Sequence, residues 1–172
     1  MKQFLVAAAV LCAAAWSLGA DPVVNGSVGS GEYAHSQTLM GGKLVLSWQT
    51  DAGGGLYLAA SAKTDGWVAV GLGSQKMEGS VIYIGSVGKD GTPAFSEDAG
   101  KGHGHSPAAA QTADQSAVAA AEGWTTVEVH LPAGSLPFTG SSAPFIVAYS
   151  GSKDLTTWHG LFNHASGTLS LP

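Results

Sequence analysis

Apolar runs of five to eight residues recur along this chain, and each is broken off by a cluster of Gly, Ser, Asp or Pro. Such punctuation suits many short strands joined by tight turns and leaves no room for long helices. Glycine, at 25 of 172 residues, supplies most of the breaks. The runs predict strands over 43–50, 56–63, 67–72, 80–87, 93–96, 116–122, 125–131, 144–149 and 167–171. Turns are expected at Asp51 to Gly55, Asp65-Gly66, Lys89-Asp90-Gly91 and Glu122-Gly123. Alternation is cleanest from Thr125 to Leu131, where Val127, Val129 and Leu131 share one face and Thr126, Glu128 and His130 the other. His130 is accordingly expected to face solvent. The same period puts Leu44, Leu46 and Trp48 on one face. Residues 108–121 are alanine-rich enough to suggest a helix, but Pro107, Gly123 and the scattered Gln111, Asp114 and Gln115 break any apolar stripe. A loop entering a strand is the better reading. Nine short strands in a single domain imply an all-β, two-sheet sandwich of immunoglobulin-like kind with Greek-key links.

Residues 1–20 stand apart from that pattern. Lys2, an apolar stretch from Phe4 to Trp16 and the small residues of Ser17-Leu18-Gly19-Ala20 read as a secretory signal peptide, with cleavage after Gly19 or Ala20. Cys12, the sole cysteine, lies inside that segment and follows Leu11, a poor fit to a lipidation site. The domain proper, residues 21–172, then has no thiol. Disulfides, iron–sulfur clusters, thiolate catalysis and covalent c-type haem attachment are all excluded. No second long apolar stretch follows, so the mature chain is expected to be exported, periplasmic or secreted, without a membrane anchor of its own.

Charge narrows the partners. The chain has no arginine, and without Lys2 six lysines face twelve acidic residues, a net of −6. This surface repels nucleic acid and anionic lipid and lacks the forked donors that grip phosphates. No nucleophile-elbow serine or paired-carboxylate pattern is present, and Glu97-Asp98 reads as a solvated turn pair. The chain is therefore read as a carrier or binding module, not an enzyme.

One residue does not fit a purely structural role. Met77 sits between Lys76 and Glu78 in a polar loop with Gly73, Ser74, Gly79 and Ser80, where no apolar face claims it. A thioether is a soft metal ligand, and Met paired with His is one way to hold haem iron. His159 and His164 near the C-terminus are candidate partners. Five residues apart, those two could instead chelate a divalent metal, although no third ligand is evident nearby. His103 and His105, in the Gly-rich stretch 102–106, suggest weak Cu or Zn binding, a solvated loop, or a flap over the site's edge. Trp67, Tyr83 and Phe162 are aromatic candidates for a pocket wall, and Trp67 is retained as the one of interest.

Several spaced pieces together resemble a known family. They are Asn25-Gly-Ser-Val-Gly-Ser-Gly-Glu-Tyr33, Leu44-Val-Leu-Ser-Trp48, Gly66-Trp-Val-Ala-Val-Gly-Leu-Gly73, Met77-Glu-Gly-Ser-Val-Ile-Tyr-Ile-Gly85, Trp158-His159-Gly160 and Gly167-Thr-Leu-Ser-Leu171. In this combination the chain resembles the DOMON domain, a secreted β-sandwich family that includes the haem-binding cytochrome domain of cellobiose dehydrogenase. The resemblance implies one non-covalent haem b held at one end of the sandwich, between a Met in the loop after the G-W-V-A-x-G strand and a His near the last strand. Met77 occupies the first position. The second falls to His159, which has the usual aromatic-His-Gly context, or to His164, which has the usual short step to the final Gly. The family's frequent Asp is replaced by Val81. The implied function is a soluble b-type cytochrome that carries single electrons to or from a redox partner protein, such as a membrane cytochrome or a periplasmic redox enzyme. Two alternatives are a haem-free module that binds a sugar or other small ligand, and a haem sensor or carrier.

Overall fold

The computed structural model describes residues 20–171, so the signal-peptide reading falls almost wholly outside the described residues. Eleven strands form two antiparallel sheets. In chain order they are β1 (His35–Leu39), β2 (Leu44–Thr50), β3 (Leu56–Ala62), β4 (Val68–Leu72), β5 (Val81–Val87), β6 (Pro93–Lys101), β7 (Gly104–Pro107), β8 (Gln115–Ala121), β9 (Trp124–Leu131), β10 (Ser142–Tyr149) and β11 (His164–Ser170). One sheet has the order β1-β2-β3-β9-β8 and the other β11-β10-β4-β5-β6-β7. Two single-turn 3₁₀ segments, Met40–Gly42 and Ala133–Ser135, are the helical elements among the described residues. None of these is long and apolar enough to cross a membrane.

All nine strands expected from the apolar runs are present, and residues 108–114 form no helix. Glu122 and Gly123 both take positive φ, 54° and 77°, and pair Ala121 with Trp124 across a two-residue turn. That backbone sense matches the strand twist of a tight hairpin. The two unexpected strands, β1 and β7, are edge strands with mostly polar, exposed side chains. An edge strand needs only one hydrogen-bonded neighbour and no apolar face, so hydrophobic periodicity does not reveal it. Strand β6 also runs to Lys101, five residues beyond its apolar start.

Alternate residues of both sheets meet between them. Leu44, Leu46, Leu58, Val127, Val129 and Leu131 from one sheet pack with Val68, Val70, Leu72, Tyr83, Phe145 and Val147 from the other. Burial of each such side chain contributes about 1.5–3 kcal/mol, so this interface carries most of the fold's stability. Tyr83 belongs to this core and not to a pocket wall. Its hydroxyl hydrogen-bonds Thr112 at 2.6 Å, and burial pushes its pKa up.

The opposite face of the five-stranded sheet differs from expectation. His130 does point away from the core, yet it is 8% exposed. Its Nδ1 meets Asp114 at 2.7 Å, its Nε2 meets Asp51 at 2.9 Å, and the ring lies 4.3 Å from that of Tyr57. Glu128, on the same face, is fully buried beneath the N-terminal segment. It accepts hydrogen bonds from Tyr33 Oη at 2.8 Å, Asn25 N at 3.0 Å and Gly26 N at 2.6 Å. A segment strapped across the sheet converts polar outward positions into buried, fully bonded ones.

Candidate functional site

The outer face of the six-stranded sheet is apolar where an exposed sheet would be polar. The alternation that sends Val68, Val70, Leu72, Tyr83, Phe145 and Val147 inward turns Ala69, Gly71, Ile82, Ile84, Ile146 and Ala148 outward. In register, Ala69 lies between Ile84 and Ala148, and Gly71 between Ile82 and Ile146. Small residues on β4, flanked by Ile82, Ile84, Ile146 and Ala148, make a shallow floor. Loops raised on either side turn it into a cleft of about 620 Å³, within the range of sites that hold a small organic ligand. The cleft thus sits on a sheet face, not at the end of the sandwich that the resemblance implied.

One wall is the loop between β4 and β5, which carries Met77. This methionine is half-buried and packs against the cluster of Trp67, Ala69, Ile82 and Ile84. Its backbone is held firmly. Ser80 N donates to Met77 O at 3.1 Å, Gly79 N to Gly100 O at 3.2 Å, and Ser80 Oγ to Lys76 O at 2.5 Å. The Met77 carbonyl rests directly on Gly100 of β6, where any Cβ would overlap it. Gly102 N also donates to the Glu78 carboxylate. A polar loop is thereby fixed by the β6–β7 hairpin, a contact that no local pattern predicts.

The facing wall is the β10–β11 connection and the edge of β11. Its base is braced by Lys153, whose Nζ donates to Asp65 O at 2.7 Å and Val87 O at 2.5 Å, and by Ser86 Oγ donating to Lys153 O at 2.8 Å. His159 and His164 both line the cleft, with ring centroids 4.8 Å apart. They are not equivalent. His164 is exposed, whereas His159 is half-buried between Trp158 and the edge of Trp67, with centroids at 5.9 and 6.5 Å. His159 Nδ1 lies 2.6 Å from the Gly160 carbonyl oxygen. A carbonyl only accepts, so Nδ1 carries the proton and Nε2 keeps its lone pair. Burial holds the His159 pKa below the ordinary value, and His164 adds to the effect against the opposing Gly160 bond. His159 is therefore a neutral imidazole with a free Nε2, the form in which histidine ligates metals.

Trp67, Met77, His159 and His164 all line this one cleft, together with His103 and His105. Trp67 is 3% exposed, and its Nε1 is a buried side-chain polar atom without a hydrogen-bond partner. An unpaired indole N–H costs about 1–3 kcal/mol, and an acceptor on a bound group would remove that cost. Phe162 is not in the wall and is 88% exposed. Val81 turns inward and packs against the inter-sheet core. No cluster of three or more His, Cys, Asp or Glu is arranged to hold a metal ion among the described residues, so the His159–His164 pair lacks a third ligand from these types.

Glu97 and Asp98 were expected to be a solvated turn pair, but both lie within β6 and are 4% exposed. Consecutive strand residues face opposite ways. Glu97 accepts from Thr112 N and Oγ1 at 2.6 and 2.8 Å and from Ala113 N at 3.1 Å. Asp98, opposite Ile82 in register, belongs to the cleft side, where it meets His105.

No curated protein matches the chain in sequence. Solved structures do share the fold. The cytochrome b domain of pyranose dehydrogenase from Coprinopsis cinerea is similar with a TM-score of 0.56 and 16% identity, over 78% of this chain and 80% of that one. The cytochrome domain of Myriococcum thermophilum cellobiose dehydrogenase is similar with a TM-score of 0.54 and 12% identity, over 75% of each chain. Residues 40–135, from the 3₁₀ segment after β1 to the one after β9, match the DOMON domain. With that match and a two-sheet antiparallel sandwich, the chain belongs to the DOMON domain family.

Proposed function

We propose that the protein is an exported b-type cytochrome whose cleft holds one non-covalent haem through Met77 and His159 and which carries single electrons between redox partner proteins. One observation carries this reading: a thioether and an imidazole with a free Nε2 line the same small-floored, apolar cleft. Likeness in fold to two cytochrome domains supports it. Haem bound by a thioether and an imidazole supplies one-electron chemistry, at a higher potential than bis-imidazole ligation. The protein's part is to hold the two ligands on braced loops and to offer apolar contact from Ile82, Ile84 and Ile146. The unpaired Trp67 N–H would donate to an acceptor on the bound group. Of the two histidines, His159 is preferred because it is half-buried and its Nδ1 is bonded to the Gly160 carbonyl, whereas His164 is exposed with no side-chain hydrogen bond among the described residues.

The test is a visible spectrum of the protein isolated from the periplasm of haem-sufficient cells or reconstituted with haem. Reduction should sharpen the Soret band and resolve the α and β bands of a six-coordinate b-type haem. His159→Ala should abolish that low-spin spectrum while His164→Ala leaves it. A wild-type protein that stays colourless after reconstitution overturns the cytochrome reading. The reverse pattern in the two variants would assign the ligand to His164.

A further inference from the structure

His105 lines the cleft on the methionine side in a setting built for ligation. Its Nδ1 lies 2.5 Å from Asp98 Oδ2, and the other Asp98 oxygen accepts from Ser96 Oγ at 2.5 Å. The Asp98 side chain is 6% exposed and that of His105 17%. Placing a carboxylate so deep on the outer face of a sheet is costly unless both oxygens are occupied. Here one is spent entirely on the imidazole. A carboxylate that accepts at Nδ1 fixes the proton there and leaves Nε2 with a lone pair, the arrangement found behind metal-bound histidines. His105 is the register partner of Gly100, the same residue on which the Met77 carbonyl rests. The backbone of the Met77 loop and the β7 strand that carries His105 therefore meet at one point of β6.

We propose that His105, oriented by Asp98, is a second ligand position on the methionine side of the cleft and takes the place of Met77 when the thioether is withdrawn. The inference rests on the haem reading above. Asp98 is a positioning residue, and Ser96 holds Asp98. Exchange of a thioether for an imidazole lowers the potential of the bound iron, so the cleft has two ligation states of different potential.

The experiment uses the haem-loaded protein and its cofactor-free form. Haem-loaded Met77→Ala should lose the sulfur-to-iron charge-transfer band and drop in potential, yet keep a low-spin, six-coordinate spectrum. Met77→Ala/His105→Ala should become high-spin. Met77→Ala/His105→Gln, in which the glutamine can keep a hydrogen bond to Asp98, should do the same and separates loss of ligand from loss of folding. In the cofactor-free protein, nitrogen NMR should show His105 protonated at Nδ1, and Asp98→Asn should redistribute that proton. A Met77→Ala protein that is already high-spin and indistinguishable from the double variants overturns this proposal while leaving the haem reading intact. So does a His105 ring protonated at Nε2. A wild-type protein that takes up no haem overturns both.

Discussion

Gly100→Ala tests how the methionine loop is held. The backbone of Gly100 is not left-handed, so alanine is conformationally acceptable there. Space is what it lacks. A Cβ would overlap the Met77 carbonyl oxygen and fall 2.8 Å from the carbonyl carbon, with Ile82 Cδ1 at 3.4 Å. The first two are backbone atoms, so no change of rotamer relieves the clash. Forced displacement of packed groups costs about 1–3 kcal/mol. The hydrogen bonds Gly100 N to Ser80 O and Gly79 N to Gly100 O, at 2.9 and 3.2 Å, cross the same seam. Weakening them adds about 1 kcal/mol, giving a total of about 2–4 kcal/mol. In a domain of this size that corresponds to a fall in Tm of about 5–15 °C. Urea denaturation of the cofactor-free protein, followed by tryptophan fluorescence, measures it directly. Gly104→Ala is the control, since its nearest neighbour is Lys101 O at 4.0 Å; it should change stability by less than about 0.5 kcal/mol. In haem-loaded protein Gly100→Ala should also weaken the sulfur-to-iron signature. If Gly100→Ala is as stable as the Gly104→Ala control, the Met77 loop is not seated on β6 and Met77 is not a preformed ligand position.

Glu128→Ala should cost about 3–5 kcal/mol, because it strips three donors of a fully buried acceptor. Hydrogen exchange should show residues 21–33 losing protection first, and unchanged protection there would refute the strap. The His130 cluster predicts a pH dependence. Burial pulls the imidazole down, but its bonds to Asp51 and Asp114 outweigh this and its pKa lies above the ordinary value. That contribution is complete below about pH 6.5 and is lost as pH rises through the raised pKa. Asp51, held below the usual carboxylate range by His130 and by the Gly55 and Gly53 amides, contributes above about pH 4 and loses its share as pH falls through its lowered pKa. Urea midpoints measured from pH 5 to 9 should fall on the alkaline side in the wild type and be flatter in His130→Gln; parallel curves would refute the coupling.

What the chain reveals on its own divides along a physical line. Strands that bury a face announce it through period-two apolar residues, and β2, β3, β9 and β10 were all legible that way. Strands β1 and β7 were not, because their partners are backbone atoms. The outward direction of His130 was readable from Val127 and Val129, but its burial was not. Exposure depends on what lies over a face, here Asp51 and Asp114 from distant turns. The cleft shows the same limit. Met77 stood out as a thioether without a core to join, and the aromatic setting of His159 marked the other wall. That Asp98 would meet His105 required knowing that β6 runs on past Ser96 and folds back as β7. Strand direction then separates Asp98 from Glu97, a distinction invisible while the pair reads as a turn.

The cleft and the inter-sheet core share strands and divide most side chains between them: Ala69, Ile82 and Ile84 go to the cleft side and Val68, Val70 and Tyr83 to the core, while Val147 reaches both. The sandwich is therefore a complete building before any tenant arrives. Losing the guest empties a room without bringing down a wall. Three connections, 73–80, 102–103 and 150–163, carry Met77, His103 and His159, so rewriting them would change the lodger while the masonry stays.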